Sequence, residues 1–176
     1  MDPNDIVEII PHLFISNWDT SNNLTVLINN NIKAVITLET RPKPQETLDF
    51  YANNNIENMY INIGDSPYAD ISQYFDATYD FIHKYISEDK NVLVHCMAGI
   101  SRSSTIILNY MIRNMYENNK VRTCPCKLFQ DVLEYARERR PIINPNIGFK
   151  KHLLLKVMEY QEQKSNQNKM KYTSIY

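Results

Sequence analysis

The stretch from 92 to 111 constrains this chain more than any other. An apolar, β-branched run, Val92-Leu93-Val94, passes straight through HCMAGISRS (95–103) into a helical stripe of Ile106, Ile107, Tyr110 and Met111. Strand, short loop, helix is a geometry for holding an anion. Unpaired amides of the loop and of the helix start converge, and the helix dipole adds partial positive charge there. Gly99 supplies the backbone freedom of a tight cradle. Met97, Ala98, Gly99, Ile100, Ser101 and Arg102 are thus the expected phosphate-binding residues. Cys96 stands at the mouth of that ring, where its thiol is expected to lose a proton readily, because the anionic form is the one being solvated. A thiolate is a strong nucleophile. Arg102 closes the ring with a planar fork that takes two oxygens at once, which a lysine does not do. Ser103 places a hydroxyl beside the sulfur, useful when the thiolate must leave again.

Elsewhere the chain alternates short apolar runs with helical stripes. AVITL (34–38), MYINI (59–63) and NVLVH (91–95) read as buried strands, and 13–15 as a weaker fourth. Leu24, Leu27 and Ile28 mark one helix, and Ile71, Phe75, Ile82 and Ile86 another, with Asp70 placed to cap it. Leu128, Val132, Leu133, Tyr135 and Ala136 mark a later one, and Phe149, Leu153 and Val157 the last. The pattern predicts an α/β fold with a mostly parallel sheet of about four to five strands and helices on both faces. Ligands in such sheets bind beyond the carboxyl ends of the strands, where the Cys96 loop falls. With 176 residues the chain suits one domain, expected over 1–160. Residues 161–176 lose apolar periodicity and are expected to form a flexible polar tail.

Charge and cysteine usage exclude several classes. Nineteen Lys+Arg against 20 Asp+Glu leave a net charge of −1, so no nucleic-acid partner is expected. The first ten residues, MDPNDIVEII, are acidic and lack the apolar core of a signal peptide, and no run approaches a bilayer span. The last three residues, SIY, hold no prenylation cysteine. Three cysteines suit free thiols in a reducing compartment, so the chain is expected to be soluble and cytoplasmic. Cys124-Pro125-Cys126 lacks both zinc-knuckle spacing and a partner pair, and reads as free thiols at a helix start with Thr123 as its cap. The Arg137, Arg139, Arg140 cluster reads as a solvated face, with Arg140 the candidate for a second phosphate contact. No Gly-x4-Gly-Lys loop is present, which argues against an ATPase.

His-Cys, five residues, then Arg-Ser resembles the signature of the cysteine-dependent protein tyrosine phosphatase superfamily, and HCMAGISRS is most similar to its dual-specificity branch. The likeness runs from about Ile9 to Tyr160 and takes in PHLFISN (11–17), NIKAVITL (31–38), the segment 64–71 and RPIINPNIGF (140–149). The resemblance implies a two-step reaction on phosphotyrosine and phosphoserine/threonine of protein substrates, with no cofactor or metal. In it Cys96 attacks phosphorus, Arg102 clamps the phosphoryl oxygens, and an aspartate protonates the leaving oxygen and then activates water. Position makes that aspartate Asp65, with Asp70 the alternative. His95 is either a residue that orients the loop or a plain strand-end histidine. Other readings remain beside the leading one. Lipid phosphatases of the superfamily carry Lys in the loop, where this chain has Met97, Ala98 and Ile100. RNA 5′-triphosphatases carry Asn where this chain has Ser101. A non-catalytic phosphopeptide-binding module would have lost the nucleophile.

Overall fold

A computed structural model of the chain describes residues 5–121 and 123–173. Its centre is β5 (Asn91–His95), whose Val92, Leu93, Val94 and His95 have no exposed surface. A strand so covered on both faces reads as an unbroken apolar run, which is why 92–94 stands out in the sequence. β2 (Leu13–Ser16) lies parallel to β5 on one side and β3 (Ile32–Leu38) on the other. β4 (Glu57–Ile61) extends the sheet beyond β3, and β1 (Ile6–Ile10) closes the far edge antiparallel to β2, giving the order β1-β2-β5-β3-β4. In this register Ser16 and Thr37 flank His95, so three strands end together where the Cys96 loop begins.

Side chains alternate across the sheet with period two. Ala34, Ile36, Val92 and Val94 pack with residues of α4 (Phe75–Ile86), α5 (Arg102–Glu117), α6 (Pro125–Arg139) and α7 (Ile147–Thr173). Val35 and Leu93 face the other way, onto Leu27 of α2 (Leu24–Asn29), which follows the short α1 (Trp18–Ser21), and onto Tyr51 of α3 (Gln45–Asn53). The first eleven residues of α5, Arg102 to Ile112, are all buried, the mark of a helix packed on every side. α7 seals the larger face with Phe149, Leu153 and Val157, each at most 1% exposed. Burying a side chain of this size contributes about 1.5–3 kcal/mol.

The α/β architecture and mostly parallel sheet are as expected, and the details differ in physical ways. β4 spans Glu57–Ile61, two residues before the expected MYINI run, because Ile63 is buried under the site after the ladder has ended. β1 and α3 go beyond the expected elements. β1 is an edge strand interrupted by exposed Glu8, and α3 fully buries only Thr47 and Tyr51. Ser72–Tyr74 forms a 3-10 turn ahead of α4, so Asp70 accepts the Ser72 amide at 3.0 Å instead of capping the α-helix itself. Cys124, not Thr123, is the N-cap residue of α6, and its side chain makes no capping bond. Backbone helix continues to Thr173 through the expected polar tail, since the segment holds Gln, Glu, Lys and Met with no Gly or Pro. The readings at 1–4 and 174–176 lie outside the described residues.

Candidate active site

The loop between β5 and α5 is pinned from outside by its carbonyls. Trp18 N–H donates to Met97 O at 3.0 Å, and Asn144 N–H to Ile100 O at 2.9 Å. Arg140 Nε donates to Gly99 O at 3.0 Å and Nη2 to Ala98 O at 3.3 Å. In a trans peptide the N–H lies opposite the carbonyl, so outward carbonyls at 97–100 turn the amides of Ala98, Gly99, Ile100 and Ser101 inward. None of these amides has a protein acceptor among the described residues. The tightness of the turn depends on Gly99, whose φ is 65° and whose missing Cβ would lie 2.6 Å from Ser16 O.

Cys96 follows β5 with 2% exposure, and its Sγ lies 3.2 Å from Ser103 Oγ in the first turn of α5. Arg102 begins that helix. Its Nη1 donates to Glu39 Oε1 at 3.2 Å and to Ile63 O at 3.1 Å, which orients the guanidinium from behind. Its Nε is buried with no protein partner. A buried guanidinium edge left without an acceptor costs free energy, and an anion between that edge and the inward amides would satisfy both. Burial opposes ionisation of Glu39, but the Thr40 amide and Arg102 outweigh it and hold the carboxyl below the usual range.

His95 is fully buried, and burial first, then the positive charges of Lys43 and Arg102, pushes it well below the ordinary histidine range. It is therefore neutral. Its Nδ1 lies 3.4 Å from Cys96 O, which can only accept, so the proton sits on Nδ1 and Nε2 faces Thr37 Oγ1 at 2.9 Å. That ties the residue before the thiol to β3. Lys43, brought down to about 7 by burial, lies under the same wall, donating to Ser21 Oγ at 2.8 Å.

Asp65 is exposed on the loop between β4 and α4. Its Oδ1 accepts from Ser101 Oγ at 2.7 Å and from Asn146 Nδ2 at 2.8 Å, while Asn146 N–H donates to Ser101 Oγ at 3.0 Å. The carboxylate is thus joined directly to the Cys96 loop. Asp70 is not: it bonds Ser72, which holds it below the usual range, and faces His152 at 3.9 Å. The Asp65 loop is braced on α7, where a Cβ on Gly148 would come 2.0 Å from Pro67 O.

Arg140 requires a correction. Expected as a second phosphate contact, it is 3% exposed and spends its guanidinium on Ala98 O, Gly99 O and a two-pronged pair with Asp5 at 2.5 and 2.6 Å. It braces the loop from behind, because α6 ends at Arg139 and the chain turns Arg140 inward while Arg139 stays on the helix surface over the Tyr135 ring. Sequence reasoning missed Glu39, Asn146 and Asp5. Glu39 had a usable signal, an acidic residue directly after a strand beside β5, at the carboxyl edge where ligands bind. Asn146 had another, an Asn placed to cap a helical stripe, and its Oδ1 accepts the Phe149 amide at 3.0 Å. Cys124 and Cys126 are free and exposed, and among the described residues no His/Cys/Asp/Glu group is arranged to hold a metal ion. No helix of the described residues is long and apolar enough to cross a membrane.

A thiol at the mouth of an inward amide ring, closed by a braced guanidinium at the carboxyl edge of a parallel sheet, defines a cysteine-and-arginine oxyanion site. Residues 13–163 match the family model described as dual specificity phosphatase, catalytic domain, and the chain belongs to that family. It is 32% identical over 150 residues to dual specificity protein phosphatase 15 of Mus musculus, covering 85% of this chain and 57% of that protein. Against dual specificity protein phosphatase MPK-4 of Drosophila melanogaster it is 31% identical over 153 residues, covering 87% of this chain and 36% of that one. A crystal structure of DUSP15 superposes with a TM-score of 0.72 at 29% identity, over 93% of this chain and 96% of the other. The chain thus spans little more than half of the mouse protein's length and about a third of the fly's.

Proposed function

We propose that this chain hydrolyses phosphate monoesters of proteins, at phosphotyrosine and at phosphoserine/threonine, with 1–160 as the catalytic unit in a reducing, cytoplasmic setting. The observation that carries this reading is the unpartnered Nε of Arg102 together with the inward amides of 98–101, set around the Cys96 thiol. Cys96 Sγ attacks phosphorus as a thiolate. The S–P bond forms as the P–O bond to the substrate breaks, and Asp65 gives its proton to the departing oxygen. Charge on the three remaining oxygens falls on the amides and the Arg102 fork. Water then loses a proton to Asp65 and attacks the cysteinyl-phosphate, and the thiolate leaves toward the Ser103 hydroxyl. Asp65 is suited to both transfers, because Ser101 and Asn146 hold only one of its oxygens.

Purified protein with an aryl phosphate, assayed with and without a chelator, tests this. Turnover is expected in both, abolished by Cys96→Ser and lowered about 10²–10⁴-fold by Asp65→Asn, with Asp70→Asn close to wild type. Activity surviving Cys96→Ser contradicts the thiol route, and a larger loss in Asp70→Asn moves the acid to the other carboxylate.

A further inference from the structure

Two residues beyond Glu39, at the rim of the same site, stands a cation the mechanism does not use. Arg41 is exposed, and its guanidinium is turned toward the Cys96 loop. Nη2 lies 3.2 Å from Sδ of Met97, the residue directly after the nucleophile. The guanidinium carbon stands 5.3 Å from the centroid of the Trp18 ring, and Trp18 is itself bonded to the loop through Met97 O. Tyr60 Oη donates to Arg41 O at 3.4 Å and anchors the backbone.

Every one of these partners is neutral. A thioether and an indole face meet the guanidinium without neutralising it, a phenol holds the backbone carbonyl of the same residue, and among the described residues no carboxylate pairs with it. The guanidinium is thus aimed at the loop's edge. Lys43 lies 4.9 Å from the centroid of the same indole but is buried, which leaves Arg41 as the exposed cation of this wall. On the opposite flank, where the Asp65 loop meets α7, the exposed residues include Tyr68, Ile147 and Lys151.

We infer that Arg41 is a specificity-determining residue that receives a second anionic group of the substrate, a phosphate or carboxylate near the phosphorylated residue being cleaved. This rests on the phosphatase reading and assigns to Arg41 the contact that Arg140 is too buried to make. A planar fork with free N–H groups takes either oxyanion in a paired geometry. At an exposed rim such a pair is worth about fivefold in affinity, and salt screens it.

The test uses the Cys96→Ser variant of the 176-residue chain, which retains the phosphate loop, and fluorescence anisotropy at low and high salt. Three phosphotyrosine peptides are compared, one flanked by glutamates, one by the matching glutamines, and one with an additional phosphothreonine. The anionic peptides are expected to bind about fivefold tighter than the glutamine peptide, with the ratio shrinking in salt. Adding Arg41→Ala brings the ratio to about one, and Arg41→Lys keeps part of it. A preference confined to one anionic peptide names the source, carboxylate or second phosphate. A flat ratio in the Cys96→Ser protein, or a ratio unchanged by Arg41→Ala, overturns the assignment. Aryl phosphate turnover by wild-type protein, measured in parallel, separates the two readings. Its absence defeats the phosphatase reading, while the peptide ratios still decide on Arg41.

Discussion

Ser103 Oγ lies 3.2 Å from Cys96 Sγ, is fully buried, and among the described residues has no hydrogen-bond partner other than that sulfur. A hydroxyl so placed does most when sulfur regains negative charge, which happens as cysteinyl-phosphate breaks down and not as it forms. Ser103→Ala is therefore expected to slow turnover about tenfold, the worth of one hydrogen bond to a charged group. The loss should fall on the second step, so stopped-flow kinetics should show a burst of aryl alcohol before a slow steady state. A uniform slowing with no burst would place the hydroxyl elsewhere in the reaction. Cys96, Arg102 and Ser103 were legible from sequence because a βα turn brings them together locally. Asp65 became legible only through the family resemblance, since nothing in its own neighbourhood separates it from Asp70.

At the scale of elements, the loop is held by parts of the chain that lie far off in sequence. Arg140 follows α6, and its carboxylate partner Asp5 precedes β1, 135 residues away. The hydrogen bond from Arg140, ahead of the opposing cost of burial, keeps Asp5 below its ordinary value. A carboxylate depressed in the folded state stabilises the fold above its unfolded value and loses that contribution as pH falls through the folded one. Asp5→Asn is thus expected to cost about 1–3 kcal/mol near neutral pH in urea unfolding, with the gap to wild type closing below about pH 4. A gap independent of pH would mean that the charge on Asp5 does not matter to the clamp. The element pattern itself was partly readable. Strands buried on both faces announce themselves as apolar runs, whereas β1 and α3 sit at the periphery with few buried positions and leave weak patterns. The Arg140 reading failed for a related reason: beside Arg137 and Arg139 it looks solvated, and only the end of α6 turns it inward.

For the whole molecule, the α/β layering followed from alternation of apolar runs and helical stripes, but the pairs that complete the site did not. Glu39 meets Arg102 across 63 residues, and Asn146 meets Asp65 across 81. Separations of that size carry no periodic signal, and only the folded sheet order brings the partners to one edge. The result is one thiol given a charged and polar surround drawn from both halves of the chain. Whether that thiol forms a bond to phosphorus is best measured in the Asp65→Asn protein during turnover of an isotopically labelled aryl phosphate. A good leaving group departs without a proton, so the first step proceeds, while the second lacks its base and the intermediate builds up. Acid quench and peptide mapping should then find label on the peptide holding Cys96, and none in Cys96→Ser. Continued turnover with no label at Cys96, or label on another residue, would contradict the account.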